Sequence, residues 1–375
     1  MDFRRVIIGL TALILTVGSS GPSGAAVPQR RANGRAVPVR IQHPARAQGN
    51  DQDRRVDVNN INMWVTNYGS YAWDIATGNS GLVYPRGSLN TAVFASGLWL
   101  GAVVNGETRV TVAEYSQEFG PGKMVGGTFD NPNRAAYKTY KVVRWTGDPA
   151  DSTHLEGDGT YPTDVLIHHS WNEYMKGAVP YGAPWRIYRL PDTSTPSLTD
   201  SVDVPGPDVL GDQMLWCVYN DGDAALHTNN AGNTAPMGVE IQQTTFGFNR
   251  QGPLGNTVFL KFKIINAGPD ALSNMYCSMW ADPDLGGAGD DLVGCDTTLS
   301  LGYCYNATND DQLYGGKPPA VGYDFFLGPI NHVTGDTLGL VSFNKYINGT
   351  DPGSFGESFN YMQGLLPDGS PLIDP

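Results

Sequence analysis

Short apolar runs separated by Gly, Asn, Asp and Pro follow one another along the chain from residue 56 onward. In residues 257–266, apolar side chains alternate with positions that include Lys261 and Lys263, which is typical of a strand that buries one face. The other runs are rich in Val, Trp, Tyr and Thr. The pattern predicts strands at residues 61–68, 91–104, 107–115, 137–145, 185–190, 213–219, 239–248, 257–266 and 274–281.

Turn residues mark the ends of these runs. Asn105-Gly106 separates two of them and predicts a tight β-hairpin. Residues 192–208 are dense in Pro, Ser, Thr and Asp, which indicates a long loop or a domain boundary. We therefore divide the chain into an N-terminal β domain at residues 56–205 and a second β-sandwich domain at residues 206–375.

The composition supports this interpretation. The 375 residues include 47 Gly and 26 Pro, and only 16% are charged. Asp outnumbers Glu by 30 to 7, and Asp favours turns and loops, whereas Glu favours helix interiors. The expected fold is mainly β, with β-sandwich units of immunoglobulin-like or jelly-roll type, long loops rich in Gly, Asp and Pro, and little helix.

The N-terminus has the pattern of a secretory signal peptide. Arg4 and Arg5 precede an apolar run at residues 6–17, and small residues follow up to Ala26. The sequence predicts a signal peptide at residues 1–26, cut after Ala26, with an uncleaved membrane anchor as the alternative. Residues 27–55 are basic and lack apolar periodicity, so they are expected to form a disordered linker. The mature protein is then secreted or held at the cell surface.

The net charge limits the class of partner. The whole chain has a formal charge of −13, and residues 56–375 hold 15 Lys and Arg against 34 Asp and Glu, a net charge of −19. Such a surface repels nucleic acids and anionic membranes. The partners expected for the mature chain, which lacks a further apolar run of membrane-spanning length, are polysaccharides or other surface proteins.

The strongest candidate site is the acidic segment at residues 280–296. It has the sequence W-A-D-P-D-L-G-G-A-G-D-D-L-V-G-C-D, without Lys or Arg. Repulsion among its carboxylates is offset either by solvation or by a hard cation, and Ca²⁺ suits a crowded carboxylate loop better than Mg²⁺. The sequence predicts a structural calcium site with the ligands Asp282, Asp284, Asp290, Asp291 and Asp296. The alternative is a solvated acidic turn.

The acidic segment does not fit the EF-hand calcium loop. With Asp282 at position 1, position 5 is Gly286 and position 12 is Val293, where a bidentate Glu is expected. We therefore expect a loop between two strands. Two weaker acidic pairs are interpreted as turn residues, namely Asp221 with Asp223 and Asp310 with Asp311.

Other reactive side chains give weaker signals. Four cysteines allow three disulfide pairings, and buried thiols are the alternative: Cys217, Cys277, Cys295 and Cys304. His168-His169 with Trp171 and Glu173 is the one grouping suited to a transition metal or to acid–base chemistry, and ordinary side chains are favoured there. The motifs H-E-x-x-H, G-x-S-x-G, G-x-x-x-x-G-K and G-x-G-x-x-G do not occur.

Four segments resemble a group of large, uncharacterised secreted bacterial proteins. They are N-I-N-M-W-V-T-N-Y-G at 60–69, Y-P-R-G-S-L-N-T-A-V-F-A-S-G-L-W-L-G-A at 84–102, L-G-D-Q-M-L-W-C-V-Y-N-D at 210–221 and D-P-D-L-G-G-A-G-D-D-L-V-G-C-D-T-T-L-S-L-G-Y at 282–303. Many members end in a type IX secretion sorting domain or an immunoglobulin-like module. The resemblance implies export, surface display or release, and a β fold, but no reaction. No sorting module is recognisable before Pro375.

The sequence leaves three functions open. A secreted or cell-surface structural or adhesive β module is favoured, by analogy. A carbohydrate-binding module is the first alternative, because 8 Trp and 18 Tyr could stack on sugars. A secreted hydrolase that uses unrecognised carboxylates is the second.

Overall fold

The computed structural model describes residues 7–19, 53–75, 77–143, 181–191, 201–331, 334–346 and 350–372. The backbone in these ranges is built mainly from antiparallel strands. In chain order the strands are β1 (Ile7–Ser19), β2 (Asp53–Val56), β3 (Asn62–Thr66), β4 (Ser70–Tyr71), β5 (Trp73–Asp74), β6 (Asn79–Ser80), β7 (Leu82–Val83), β8 (Thr91–Val93), β9 (Ala95–Val104), β10 (Glu107–Val112), β11 (Gly120–Pro121), β12 (Met124–Val125), β13 (Thr128–Phe129), β14 (Tyr140–Val143), β15 (Trp185–Pro191), β16 (Ser201–Pro207), β17 (Gln213–Asn220), β18 (Val239–Gly247), β19 (Thr257–Asn266), β20 (Leu272–Asp282), β21 (Asp291–Asp296), β22 (Leu301–Asn306) and β23 (Pro319–Phe325).

Helices are short in this part of the chain. One α-helix, α1, spans Phe355–Met362, and single 3-10 turns lie at Ala135–Tyr137, Ala224–Leu226 and Pro253–Asn256. Strands make up 45% of the structure and helices 7%, so the predicted mainly β fold with little helix is confirmed.

The predicted hairpin is confirmed in its details. Asn105 and Gly106 join β9 to β10 and have φ angles of 52° and 85°. Positive φ at both central residues is the requirement of a type I′ turn, which explains why this dipeptide occurs between the two strands.

Most of the strands form two large sheets. The first sheet has the order β11-β17-β18-β19-β1-β23-β22-β21, with β14 also paired to β17. The second sheet has the order β10-β9-β4-β3-β7-β8, with β2 paired to β3 and β20 paired to β9. The neighbouring strands are antiparallel. The predicted runs at 107–115, 213–219, 239–248, 257–266 and 274–281 overlap β10, β17, β18, β19 and β20, whereas β1, β11, β21, β22 and β23 lie outside the predicted runs.

The two sheets share one hydrophobic core. Leu98 and Leu100 of β9 lie in the same buried cluster as Leu260 and Phe262 of β19 and Val321 of β23. These five side chains are at most 1% exposed. The sheets therefore pack face to face as a sandwich whose interior is formed by both.

Strand pairing crosses the domain boundary that the sequence suggested near residue 205. In the second sheet β20 pairs with β9, and Trp280 is opposite Gly97. In the first sheet β14 pairs with β17. The predicted loop at residues 192–208 is partly strand, because Ser201–Pro207 pairs with β15. Strands from both sides of residue 205 therefore contribute to each of the two large sheets.

The predicted signal peptide overlaps β1. Residues Ile7–Ser19 pair with β19 on one side and with β23 on the other. Residues 20–52, which include the predicted cleavage point, lie outside the described ranges. The predicted linker at residues 27–55 overlaps β2, because Asp53–Val56 pairs with β3.

Candidate functional site

The acidic segment forms the turn between β20 and β21. Both flanks are strands, as expected, with Asp282 at the end of β20 and Asp291 at the start of β21. Within the turn, Gly286 has a φ of +65° and donates its backbone N–H to the carbonyl of Thr91 at 2.9 Å. The positive φ explains the glycine, since a side chain is strained in this conformation.

Asp282 belongs to an aromatic contact. Its carboxylate accepts a hydrogen bond from the hydroxyl of Tyr115, whose ring packs edge-on against Trp280 at a centroid distance of 5.1 Å. Burial first, and then the charge of Asp282, raise the pKa of Tyr115 well above its ordinary value. Asp282 is therefore committed to orienting the Tyr115 hydroxyl.

Asp296 closes a local turn at the other end of the segment. Its Oδ1 accepts hydrogen bonds from the backbone N–H and the hydroxyl of Thr298, at 2.9 and 2.6 Å, and from the N–H of Leu299 at 3.2 Å. These bonds, led by the Thr298 hydroxyl, lower the pKa of Asp296. This is the pattern of an Asp that initiates a turn.

The other three predicted ligands lie near Asn306, the last residue of β22, and near Asp311 in the loop that follows it. We define the acidic cluster as Asp284, Asp290, Asp291, Asn306 and Asp311. The Asn306 amide donates to Asp290 Oδ2 at 3.1 Å, and Asn306 is also opposite Asp291 in the β21–β22 pair. Four carboxylates and one amide are thus held at one end of this pair.

Asp311 is held by backbone donors from two loops. Its Oδ2 accepts the N–H of Gly287 at 2.7 Å, and its Oδ1 accepts the N–H of Leu313 at 2.8 Å and of Tyr314 at 2.7 Å. Burial opposes ionisation of Asp311, which is 5% exposed. The hydrogen bonds from Tyr314, Gly287, Leu313 and Asn306 outweigh burial and lower its pKa. Asp311 therefore carries a fixed negative charge into the cluster.

Asp291 is in the opposite electrostatic situation. Burial, followed by the charges of Asp284, Asp290 and Asp311, raises its pKa to about 8, although the N–H of Leu285 donates to its Oδ2 at 3.0 Å. A carboxylate in this environment takes up either a proton or a cation near neutral pH.

Two buried oxygens of the cluster have no hydrogen-bond partner. They are Asp291 Oδ1 and Asn306 Oδ1, and Asn306 is only 8% exposed. Buried acceptors without a donor are uncommon, and an ion is one of the few groups that satisfies several at once. As the side chains lie, no three His, Cys, Asp or Glu residues in the described ranges form a group that could hold a metal ion.

Sequence reasoning did not include Asn306 and Asp311 in the site. Asp311 carried a weak signal as part of an acidic pair, but its hydrogen bond to Gly287 spans 24 residues, which local pattern does not predict. Asn306 is an ordinary residue at the end of a strand, and only the register of β22 against β21 places it beside Asp291.

Asp221 is a second buried carboxylate, and it has a structural role. It is fully buried and accepts the backbone N–H of Met237, Gly238 and Val239 at 2.7 to 2.9 Å, as well as the Thr111 hydroxyl at 3.0 Å. Its oxygens are fully used by these donors. Asp221 therefore fixes the start of β18 against β10.

The four cysteines lie within the described residues and form no disulfide. The β21–β22 register places Cys295 opposite Gly302 and Cys304 opposite Val293. Burial raises the pKa of Cys277 to about 12 and that of Cys217 further. Because the thiolate is the reactive form, these buried thiols act as small core side chains.

A polar cleft of 450 Å³ lies apart from the acidic cluster. Its lining includes Asn60, Arg86, Asn249, Arg250 and Gln251. The Arg86 guanidinium donates to the Asp57 carbonyl at 2.6 Å, while that of Arg250 lies 3.2 Å from Asp212. Amide and guanidinium groups in an open cleft can donate hydrogen bonds to a polar ligand.

Comparisons with family models, with curated proteins and with solved structures gave no match for this chain. The grouping of His168, His169, Trp171 and Glu173 lies outside the described residues. In the described part of the chain, no helix has the length and apolar character needed to cross a membrane.

Proposed function

We propose that this chain is an exported β-sandwich module of a secreted or cell-surface protein, that its role is structural or adhesive, and that a calcium ion in the acidic cluster stabilises it. The order of Arg4, Arg5, an apolar run and small residues supports export. The resemblance of the four segments between residues 60 and 303 to secreted bacterial proteins supports the same location. The mainly β fold fits a structural module.

The observation that carries the calcium proposal is the pair of buried oxygens without partners, Asp291 Oδ1 and Asn306 Oδ1. They lie among the carboxylates of Asp284, Asp290 and Asp311, so the donor set is all oxygen and strongly anionic. Ca²⁺ accepts six to eight oxygen ligands in flexible geometry, whereas Mg²⁺ keeps its waters. The proposed ligands are oxygens of the acidic cluster, and Asp282 and Asp296 are not among them.

Thermal unfolding tests this proposal. A cation that binds only the folded chain stabilises it by about 2.7 kcal/mol when its free concentration is a hundredfold above the dissociation constant. The melting temperature is expected to rise with added calcium and to fall with a chelator. Asp284→Asn is expected to remove this dependence, because it removes one charge from the cluster.

Asp296→Asn is the matched control. Asp296 lies in the same segment, but its carboxylate caps its own turn, and Asn supports such a turn as well. This variant is expected to keep the full response to calcium. Superimposable melting curves of the wild-type chain with calcium and with chelator would contradict the calcium proposal, and loss of the response in Asp296→Asn would contradict the revised ligand set.

The export part has its own measurement. Mass spectrometry of the protein collected outside the cell is expected to give a mature N-terminus at Val27, after cleavage behind Ala26. An exported chain that begins at Met1 would contradict it.

A carbohydrate-binding function is the second candidate, and the polar cleft favours it. Of the aromatic side chains that could stack on a sugar, Trp73, Trp99 and Trp216 are buried, whereas Trp185 is 54% exposed. The cleft instead provides amides and guanidinium groups, which can donate hydrogen bonds to the hydroxyl groups of a neutral polysaccharide. If the wild-type chain binds such a polysaccharide and Arg86→Ala does not, this candidate is supported. If the wild-type chain and Arg86→Ala bind it equally, the candidate is contradicted.

A further inference from the structure

One strand holds the two halves of the first sheet together. In the order β11-β17-β18-β19-β1-β23-β22-β21, β1 is the link between β19 and β23 and is antiparallel to both. Without Ile7–Ser19, the sheet divides into one half that ends at β19 and another that ends at β23. The position of β1 is called the acceptor slot below.

The walls of the acceptor slot belong to the main core. Leu260 and Phe262 on β19 are fully buried, and Val321 on β23 is 1% exposed. The register places Leu13 opposite Leu260, Leu10 opposite Phe262 and Val17 opposite Val321. A strand that fills the slot therefore needs apolar residues at the positions that pair with these three.

The strand that fills the slot lies inside the segment that export removes. Ile7–Ser19 belongs to residues 1–26, the predicted signal peptide. Its removal leaves unpaired backbone groups along β19, from Thr257 to Ile265, and along β23. Such edges are templates for an added strand.

We propose that, after residues 1–26 are removed, the acceptor slot binds an extended apolar strand of a partner polypeptide, antiparallel to both β19 and β23. This inference rests on the export step of the proposed function. Neighbouring strands lie about 4.8 Å apart, so β19 and β23 are separated by about twice that distance and do not hydrogen-bond directly. Closing the gap requires one half of the sheet to move across a packed core, whereas a bound strand satisfies both edges at once.

The slot can be tested on the full chain. A protease recognition site is inserted between Ala26 and Val27, and the folded protein is cut and then mixed with a fluorescent peptide that has the sequence of Ile7–Ser19. The cut segment is expected to remain bound through native size-exclusion chromatography and to exchange with the labelled peptide. A peptide with Leu10→Asp and Leu15→Asp is the control. It is expected to bind at least about tenfold more weakly, because the two charges are placed opposite Phe262 and Val258, which are both fully buried.

Three results would overturn the proposal. The first is loss of the cut segment with no uptake of the labelled peptide and no change in melting temperature, which means that the sheet closes without a strand. The second is a stable dimer of the cut chain, which means that a second copy fills the slot. The third is equal binding of the control peptide, which means that the contact is not specific for register. Since cutting is engineered, these results do not depend on the mature N-terminus found after export.

Discussion

The Asp311 carboxylate accepts a hydrogen bond at 2.7 Å from the backbone N–H of Gly287, 24 residues earlier in the chain. This bond ties the loop after β22 to the turn before β21. Asp311 also accepts the N–H groups of Leu313 and Tyr314, so a single carboxylate shapes both loops. The acidic cluster is therefore positioned by the same side chain that contributes one of its charges.

Replacing Asp311 with Asn is expected to destabilise the fold by about 1–3 kcal/mol, because an amide NH₂ then faces at least one buried N–H donor. The calcium response of the melting temperature should weaken as well. The neighbouring Asp310 is exposed, so Asp310→Asn is the control and should change the free energy of unfolding by less than about 0.5 kcal/mol. Urea unfolding of the two variants measures both values, and equal stabilities would contradict the role given to Asp311.

Gly286→Ala is expected to disturb the acidic cluster through the backbone. The φ of Gly286 is +65°, and an added Cβ would lie 2.1 Å from Asp311 Oδ1. The carboxylate must move, so we expect a loss of about 1–3 kcal/mol together with a reduced calcium response. Gly289→Ala, at a position with no atom within 4 Å of the added Cβ, should leave both unchanged. Identical melting curves for the two variants would show that the turn adapts freely.

The strands could be predicted because their signal is local. β19 coincides with the alternating residues 257–266, and the hairpin at Asn105-Gly106 follows from the two positive φ angles that this dipeptide tolerates. The pairing of β20 with β9 is different, since residues 272–282 and 95–104 are far apart in the chain. Nothing in either segment specifies its partner, so the shared core of the two sheets could not be derived.

The acidic site could be predicted only in part for the same reason. The density of Asp in residues 282–296 locates the turn, but each carboxylate is assigned by its neighbours in space. Asp282 accepts a hydrogen bond from the hydroxyl of Tyr115, and Asp296 accepts one from the hydroxyl of Thr298. The three remaining carboxylates instead lie near Asn306 and Asp311. The composition shows that the segment is strongly negative, whereas the register of β21 against β22 places Asn306 opposite Asp291.

Asp221→Ala is expected to cost at least about 3 kcal/mol, because it leaves the buried N–H groups of Met237, Gly238 and Val239 without an acceptor. Asp223, two residues later, is half-buried and caps a 3-10 turn by accepting the N–H of Ala225, so Asp223→Ala should cost about 1 kcal/mol. Chemical denaturation compares the pair. Similar losses in the free energy of unfolding for the two variants would contradict the structural role given to Asp221.

Glu118 lies near Asp221 and is also fully buried. Its carboxylate accepts the backbone N–H of Val112 at 3.1 Å and of Asn233 at 2.7 Å, and Nδ1 of His227 lies 4.0 Å away. Burial is nevertheless the largest influence and raises the pKa of Glu118 from 4.5 to about 7. Burial likewise raises the pKa of the nearby Glu114 to about 7.

The raised pKa of Glu118 predicts that the fold loses stability as the pH rises from about 4.5 to about 7. In this range the unfolded chain has released the proton and the folded chain still holds it, so the contribution of Glu118 to the free energy of unfolding falls with pH and is level above about pH 7. At 1.36 kcal/mol per pKa unit, the contribution of Glu118 has an upper bound of about 3 to 4 kcal/mol. Glu118→Gln removes this titration, so its slope between pH 4.5 and 7 should be smaller than that of the wild-type chain, with the slope from Glu114 retained. Urea titrations across this range, with chelator present, measure the difference, and parallel curves for the two chains would mean that Glu118 ionises normally in the folded protein.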